Sequence, residues 1–306
     1  MTLGYIFLVI SVLAGTTKGY FGKRISGKTE GMAASVWVNI LRMGFCILFS
    51  LLVSGASLLH SGGKIDLPLL ITGVFSGVTQ AAFLISWLYC VRGGGYMLVT
   101  IFTMLGIVVT LILSTLFLPG ETITLLQWGA VALLMIAVFV MYSYNTGMRG
   151  KLSLGTMIAL VICGLSHGLS SFIQKVFQIY SAGDTGTFTL IGYVVTLVAL
   201  LCLLLLPSVR SEQQKPAKLI RGIFFPVLMM AIALFLCNYF AVEAAAPGRL
   251  SAVQLYPARE GLNMLLGVLM SHFLFREKAN LRCVIGVSQA TLPAHLPVDT
   301  DNGCLQ

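Results

Sequence analysis

The residues of this chain that could do chemistry are few, and most of them lie inside long apolar runs. Tyr256, Arg259, Glu260 and Asn263 follow one another at i, i+3, i+4 and i+7, which is one face of a helix. Pro257 lies in the same turn, removes a backbone hydrogen bond and predicts a kink there. His167, Ser170, Ser171 and Gln174 repeat that spacing in a second run, and a third holds Ser35, Asn39, Arg42 and Cys46. In a fourth, Gln80 and Trp87 stand seven apart.

An Arg at the centre of a bilayer costs roughly 2.5–3.5 kcal/mol on insertion scales, so a polar stripe at that depth points inward to a shared interior. The chemistry on offer is recognition and proton exchange. Arg42 and Arg259 suit a carboxylate or phosphate. Glu260 is the acid placed near the middle of a run, and so is the candidate for proton coupling. Gln80, His167, Gln174, Asn238, Tyr256 and Asn263 would supply neutral hydrogen bonds in a cavity, with Trp87 as an apolar wall. Blander readings stand beside these. Arg259 could snorkel to the outer interface with Glu260 merely pairing with it, and Arg42 could hold only backbone carbonyls or Glu260. His167, Trp87 and Tyr256 could be packing residues.

Covalent catalysis finds no footing. The four histidines (His60, His167, His272, His295) sit in unrelated positions, and no His, Asp, Glu or Cys spacing suggests a metal. No enzyme, metal or cofactor is therefore expected. Gly93, Gly94 and Gly95 read as a tight turn, since no strand precedes them and no Lys-Ser/Thr follows. The seven cysteines are odd in number, lack CxxC spacing and read as small apolar packers. Glu121 and Glu277 open connections into the next apolar run, where capping free amides is their expected role.

The elements that must position these residues follow from composition. Of 306 residues, 58% are hydrophobic and 9% charged, against roughly a quarter charged in a soluble domain. With 32 glycines to let backbones approach, the expectation is helices packed in lipid. Apolar runs predict spans over 3–20, 34–53, 67–90, 97–118, 125–144, 155–177, 187–206, 223–242 and 250–275. The first is a span and not a removed signal peptide, because it has no basic leader and no cleavage signal.

The two halves repeat. Leu3-Gly4 matches Leu154-Gly155, Phe21 matches Phe172, Arg24 matches Lys175, and Ala82 and Val91 fall on Ala233 and Val242. After an insertion near 244–249, the segment 117–121 falls on 273–277. Five spans is an odd number, so the second repeat must enter from the opposite face, an inverted-topology pair enclosing a central site. Thr100 and Thr103 then correspond to Tyr256 and Arg259. The domains are accordingly 1–150 and 151–306.

With the N-terminus outside, fourteen basic residues fall in cytoplasmic connections: Lys18, Lys23, Arg24, Lys28, Arg92, Arg149, Lys151, Arg210, Lys215, Lys218, Arg221, Arg276, Lys278 and Arg282. Only Lys64, Lys175 and Arg249 fall outside, a strong positive-inside bias. This charge therefore reads as topology and lipid contact, not as a nucleic-acid surface.

The tenth run starts at Leu281 and stops near Val287, where Ser288-Gln289 and a polar tail with Pro293, Pro297 and Asp299 take over. About seven apolar residues cannot cross ~30 Å as helix. The expectation is nine full spans plus an incomplete tenth, lost through a frameshift or truncation and so open to a non-transporting product. A natural nine-span protein is the alternative.

On these features the chain resembles the drug/metabolite transporter superfamily, in its ten-helix EamA-like branch. The resemblance rests on the two five-helix repeats, on Lys23-Arg24 and Gln174-Lys175 after the first span of each, on Glu121 and Glu277 after the fourth, and on Arg42 in span two. It implies an all-α polytopic carrier of the inner membrane that moves a small metabolite or amphipathic compound, more plausibly outward, by alternating access. Spans one to four of each half would surround the cavity, with spans five and ten peripheral. Ten-helix members place the N-terminus inside, whereas the basic residues here argue for outside.

Overall fold

Twenty to twenty-nine apolar residues without a strand-like alternation can satisfy their backbone only as helix when water is absent. The computed structural model has that form; it describes residues 2–26, 29, 32–60, 65–92, 96–121, 123–125, 128, 129, 131, 132, 136, 153–181, 183–210 and 216–275. Among the described residues there is no strand. The long helices are α1 (Thr2–Ser26), α2 (Met32–His60), α3 (Leu67–Arg92), α4 (Tyr96–Phe117), α5 (Leu154–Tyr180), α6 (Thr185–Leu204), α8 (Pro216–Ala244) and α9 (Ala252–Phe275). A single turn, α7 (Pro207–Arg210), lies between α6 and α8.

Six of them, α1, α2, α3, α5, α6 and α8, are long and apolar enough to cross a bilayer. Most of the run expected over 125–144, and everything from Arg276 onward including Glu277 and the incomplete tenth run, lies outside the described residues.

Several helices outrun their apolar cores. Helix α1 carries Lys23 and Arg24 in its last turn, and α8 begins at Pro216, so Lys218 and Arg221 are helical and not in a connection as expected. Lys18 likewise lies within α1. Lys175, inside the expected 155–177 run but counted by charge with the external connections, is a buried member of α5, 5% exposed. Polar caps set two of the starts. The Ser153 hydroxyl accepts the Thr156 amide at 3.2 Å to begin α5, and Asp184 accepts the amides of Gly186 (2.8 Å) and Thr187 (3.1 Å) to begin α6.

The polarity of the bundle is inverted relative to a soluble protein. Leu13, Val198 and Phe225 are exposed on the outside, while Ser11, Ser50, Ser114 and Thr196 are fully buried. Small residues let the helices close. A Cβ on Gly106 of α4 would sit 2.5 Å from the Gly164 carbonyl of α5, so only glycine fits there. Thr110 then donates across the same contact to the Gly168 carbonyl at 2.9 Å.

The principal neighbours are α1 with α8, α3 with α5, α4 with α5, α3 with α6, α2 with α6, α2 with α8, and α1 with α9. Exchanging α1 with α5, α2 with α6, α3 with α8 and α4 with α9 turns six of these pairings into one another and leaves the α2–α6 pairing as itself. Individual bonds behave the same way: Cys46 of α2 donates to the Ala231 carbonyl of α8 (3.5 Å), and Thr196 of α6 donates to the Gly77 carbonyl of α3 (3.1 Å).

One end of the bundle can be followed from contact to contact. Gly4, near the start of α1, lies against Leu250. Gly186, near the start of α6, lies against Ser54, near the end of α2. Ser181 donates to Asp66 (3.1 Å), Thr185 donates to Glu243 (2.5 Å), and Lys175 pairs with Glu121 (3.2 Å). At this end α1, α3, α6 and α9 begin, while α2, α4, α5 and α8 finish.

Candidate functional site

Four helices bring charge together in the interior. Tyr256 of α9 donates its hydroxyl hydrogen to the Ser171 carbonyl of α5 at 2.6 Å, which fixes the face that α9 presents. One turn on, Arg259 donates to the Cys237 sulfur of α8 at 3.1 Å and stands 4.0 Å from Glu260. The Glu260 carboxylate is 3.6 Å from His167 Nε2 on α5. Lys18 of α1 lies within electrostatic reach of both Glu260 and Cys237. Asn263 packs on Gly15 of α1, where a Cβ would meet its Oδ1 at 2.6 Å. Pro257 sits inside α9, so the Val253 carbonyl lacks its usual helical donor.

Arg259 is 5% exposed and turned into the bundle, which removes the snorkelling alternative. The Glu260–His167 contact at 3.6 Å is an ion-pair distance beyond hydrogen-bond reach, and the Arg259 cation approaches the same carboxylate oxygen. Among the described residues no three His, Cys, Asp or Glu side chains converge as metal ligands.

A second, neutral group lies at the junction of α3, α5, α6 and α8. Gln80, Gln174 and Asn238 line a narrow hollow of about 10 Å³ together with Ser76, Thr189 and Tyr193, closed by Phe188 and Val242. That is room for about one water. Asn238 donates to the Tyr193 hydroxyl at 3.1 Å, while the buried Gln174 Oε1 has no hydrogen-bond partner among the described residues.

The sequence candidates thus separate. Gln80, Gln174 and Asn238 share the hollow, whereas His167, Tyr256, Arg259, Glu260 and Asn263 belong to the charged group. Arg42 joins neither directly: it is 8% exposed, its Nη1 lies 3.9 Å from the Met230 sulfur, and Tyr193 is within its electrostatic reach. It does not pair with Glu260 among the contacts described. Trp87 packs against Cys90, Leu160 and Cys163 between α3 and α5. Of the Arg42 stripe, Asn39 is satisfied locally by the Ser35 carbonyl at 2.8 Å. The Thr100 side chain lies outside the described residues.

Sequence reasoning missed Lys18, Tyr193 and Cys237. Lys18 looked like a loop charge because it lies near the end of its apolar run. Cys237 could have been found as the neighbour of Asn238. Tyr193 stands as far from Arg42 as Leu154 from Leu3, so the internal repeat itself was the available signal.

A third cluster is structural. Both Glu121 carboxylate oxygens accept the Ala252 amide, at 3.1 and 3.0 Å, capping α9. Lys175 pairs with Glu121 and donates to the carbonyls of Ala245 (3.0 Å) and Leu250 (2.9 Å). Glu121 therefore caps as expected, though it caps a distant helix of the other half and not the run that follows it. Beside it, Arg249 pairs with Glu243 at 2.6 Å and covers the Phe7 ring at 4.9 Å.

Residues 2–143 match the EamA-like transporter family. No curated protein sequence matches the chain. A crystal structure titled only as that of a protein superposes with a TM-score of 0.73 over 96% of each chain at 11% identity, a likeness of fold.

Proposed function

Because residues 2–143 match the EamA-like transporter family, we propose that this multi-pass membrane protein carries a small solute across the bilayer by alternating access between two inverted halves, 1–150 and 151–306. The observation that carries this reading is the running sense of the helices. At the end where α1 begins, α5 finishes; where α2 finishes, α6 begins; and α3 with α8, and α4 with α9, are likewise opposed. The pairings exchange under the same correspondence. Two similar bundles threaded in opposite senses can rock about a shared centre, and α2 and α6 meet there with Arg42 and Tyr193 at equivalent positions.

In this reading the fifth and incomplete tenth helices complete nine full spans and a partial one. The neutral hollow is the solute contact in a closed conformer, widening when the halves rock. Arg42, Trp87, Tyr256, Arg259 and Asn263 flank the path. Glu260, opposite His167, exchanges the coupling proton. Export from the cytoplasm of a small metabolite or amphipathic compound, an inner-membrane location and an outside N-terminus follow from the family likeness and the basic residues.

Metabolite profiling of cells with and without the protein, followed by flux of the responding compound in vesicles, tests the assignment. Glu260→Gln should abolish the pH dependence of that flux while the protein remains folded. Unchanged pH dependence removes the coupling role, and no responding compound removes the carrier.

A further inference from the structure

The lining of the hollow says what kind of solute it can accept, given the carrier reading above. We infer that the site takes an uncharged solute bearing a hydroxyl or carboxamide group, recognised as both hydrogen-bond donor and acceptor. Every polar side chain at the hollow is neutral: Ser76, Gln80, Gln174, Thr189, Tyr193 and Asn238. Among the described residues, no Lys or Arg lines it to pair with an anion, and no Asp or Glu lines it to pair with a cation. An ion brought into such a place would be buried without a counter-charge, at a cost of several kcal/mol.

The hydrogen-bonding atoms are moreover split between the two roles. Gln174 is 6% exposed, and its Oε1 is buried with no donor among the described residues, so it calls for an incoming N–H or O–H. The Tyr193 oxygen already accepts from Asn238 Nδ2, which leaves the phenolic hydrogen to donate. An acceptor and a donor beside the Phe188 ring suit a group that gives one hydrogen bond and receives another.

Charge is kept elsewhere. His167 and Gln174 are seven residues apart on α5, about 10 Å along the helix axis. The Glu260–His167–Arg259 group therefore stands two turns from the Gln174 amide. Arg259 is engaged with Cys237 and Glu260, and Arg42, which is not among the lining residues, lies on Met230. A neutral cargo and a separate proton-exchanging pair can then work without competing for the same counter-ion.

The test is uptake into proteoliposomes holding the full chain, with radiolabelled uridine and myo-inositol as neutral probes, succinate as the anion and choline as the cation, against protein-free liposomes. The expected result is uptake of a neutral probe over both ions. Gln174→Leu should lower it about tenfold, as for one lost hydrogen bond. Gln174→Glu, which keeps size and polarity, should lower neutral uptake similarly and raise choline uptake. Faster movement of succinate or choline in the unsubstituted protein overturns the neutral class and leaves the carrier reading standing. Neutral uptake untouched by both substitutions overturns the assignment of this hollow. If no probe moves above the protein-free background, this inference and the carrier reading fall together.

Discussion

Lys175→Met should be among the most damaging single changes in this protein, although sequence spacing alone places the residue near a helix end. Its ammonium makes three contacts within 3.2 Å, to Glu121 and to the Ala245 and Leu250 carbonyls, at 5% exposure. Removing the cation leaves the Glu121 carboxylate buried at 7% exposure with, among the described residues, the Ala252 amide as its donor. Breaking a buried pair by deleting one partner costs about 3–5 kcal/mol, because an uncompensated charge remains. Glu121→Gln is gentler: the amide oxygen still accepts from Ala252, and Lys175 keeps its two carbonyls, so about 1.5–3 kcal/mol is lost.

In the double variant no buried charge is left alone. Its cost should therefore fall roughly 2 kcal/mol or more below the sum of the two single costs. The measurement is unfolding in mixed micelles titrated with SDS, followed by far-UV circular dichroism, on all four proteins of the cycle. A cost below about 1 kcal/mol for Lys175→Met would refute the reasoning, as would strict additivity in the double variant.

Three further outcomes are expected. Gly106→Leu should prevent α4 from closing on α5, since even a Cβ meets the Gly164 carbonyl at 2.5 Å, and folded protein recovered by size-exclusion chromatography should drop severely. Asp184→Ala removes the cap that accepts the Gly186 and Thr187 amides and should cost about 1 kcal/mol in the same SDS titration, with Asp184→Asn recovering most of it. For topology, Ile65→Cys at the Asp66 end should react with a membrane-impermeant thiol reagent on intact cells, and Arg24→Cys only after permeabilisation, both in a background lacking Cys202, Cys283 and Cys304; the reverse pattern inverts the orientation.

Much of the fold was legible because a bilayer imposes it. Runs of apolar residues near twenty long have few ways to satisfy their backbone, so α3, α4, α5, α6 and α9 could be placed within about three residues from composition. Charge near helix ends was harder to read. Lys218, Arg221 and Lys175 are charged yet helical, and the Lys175 charge is satisfied by Glu121 and two carbonyls. The Glu121 cap was readable as a role but not as a partner, since the amide it binds lies 131 residues away.

Which polar residues share a face was settled by sequence alone. Helical spacing puts Tyr256, Arg259 and Glu260 on one stripe, and the cost of charge in hydrocarbon turns that stripe inward. Which stripes meet was decided only by the folded chain. Gln174 and His167 lie on one predicted face of α5, yet one joins Gln80 and Asn238 in a neutral hollow while the other meets Glu260. The reason is physical: periodicity fixes directions around one axis, whereas the height at which two helices cross depends on where small residues such as Gly106, Gly164 and Gly77 let their backbones touch.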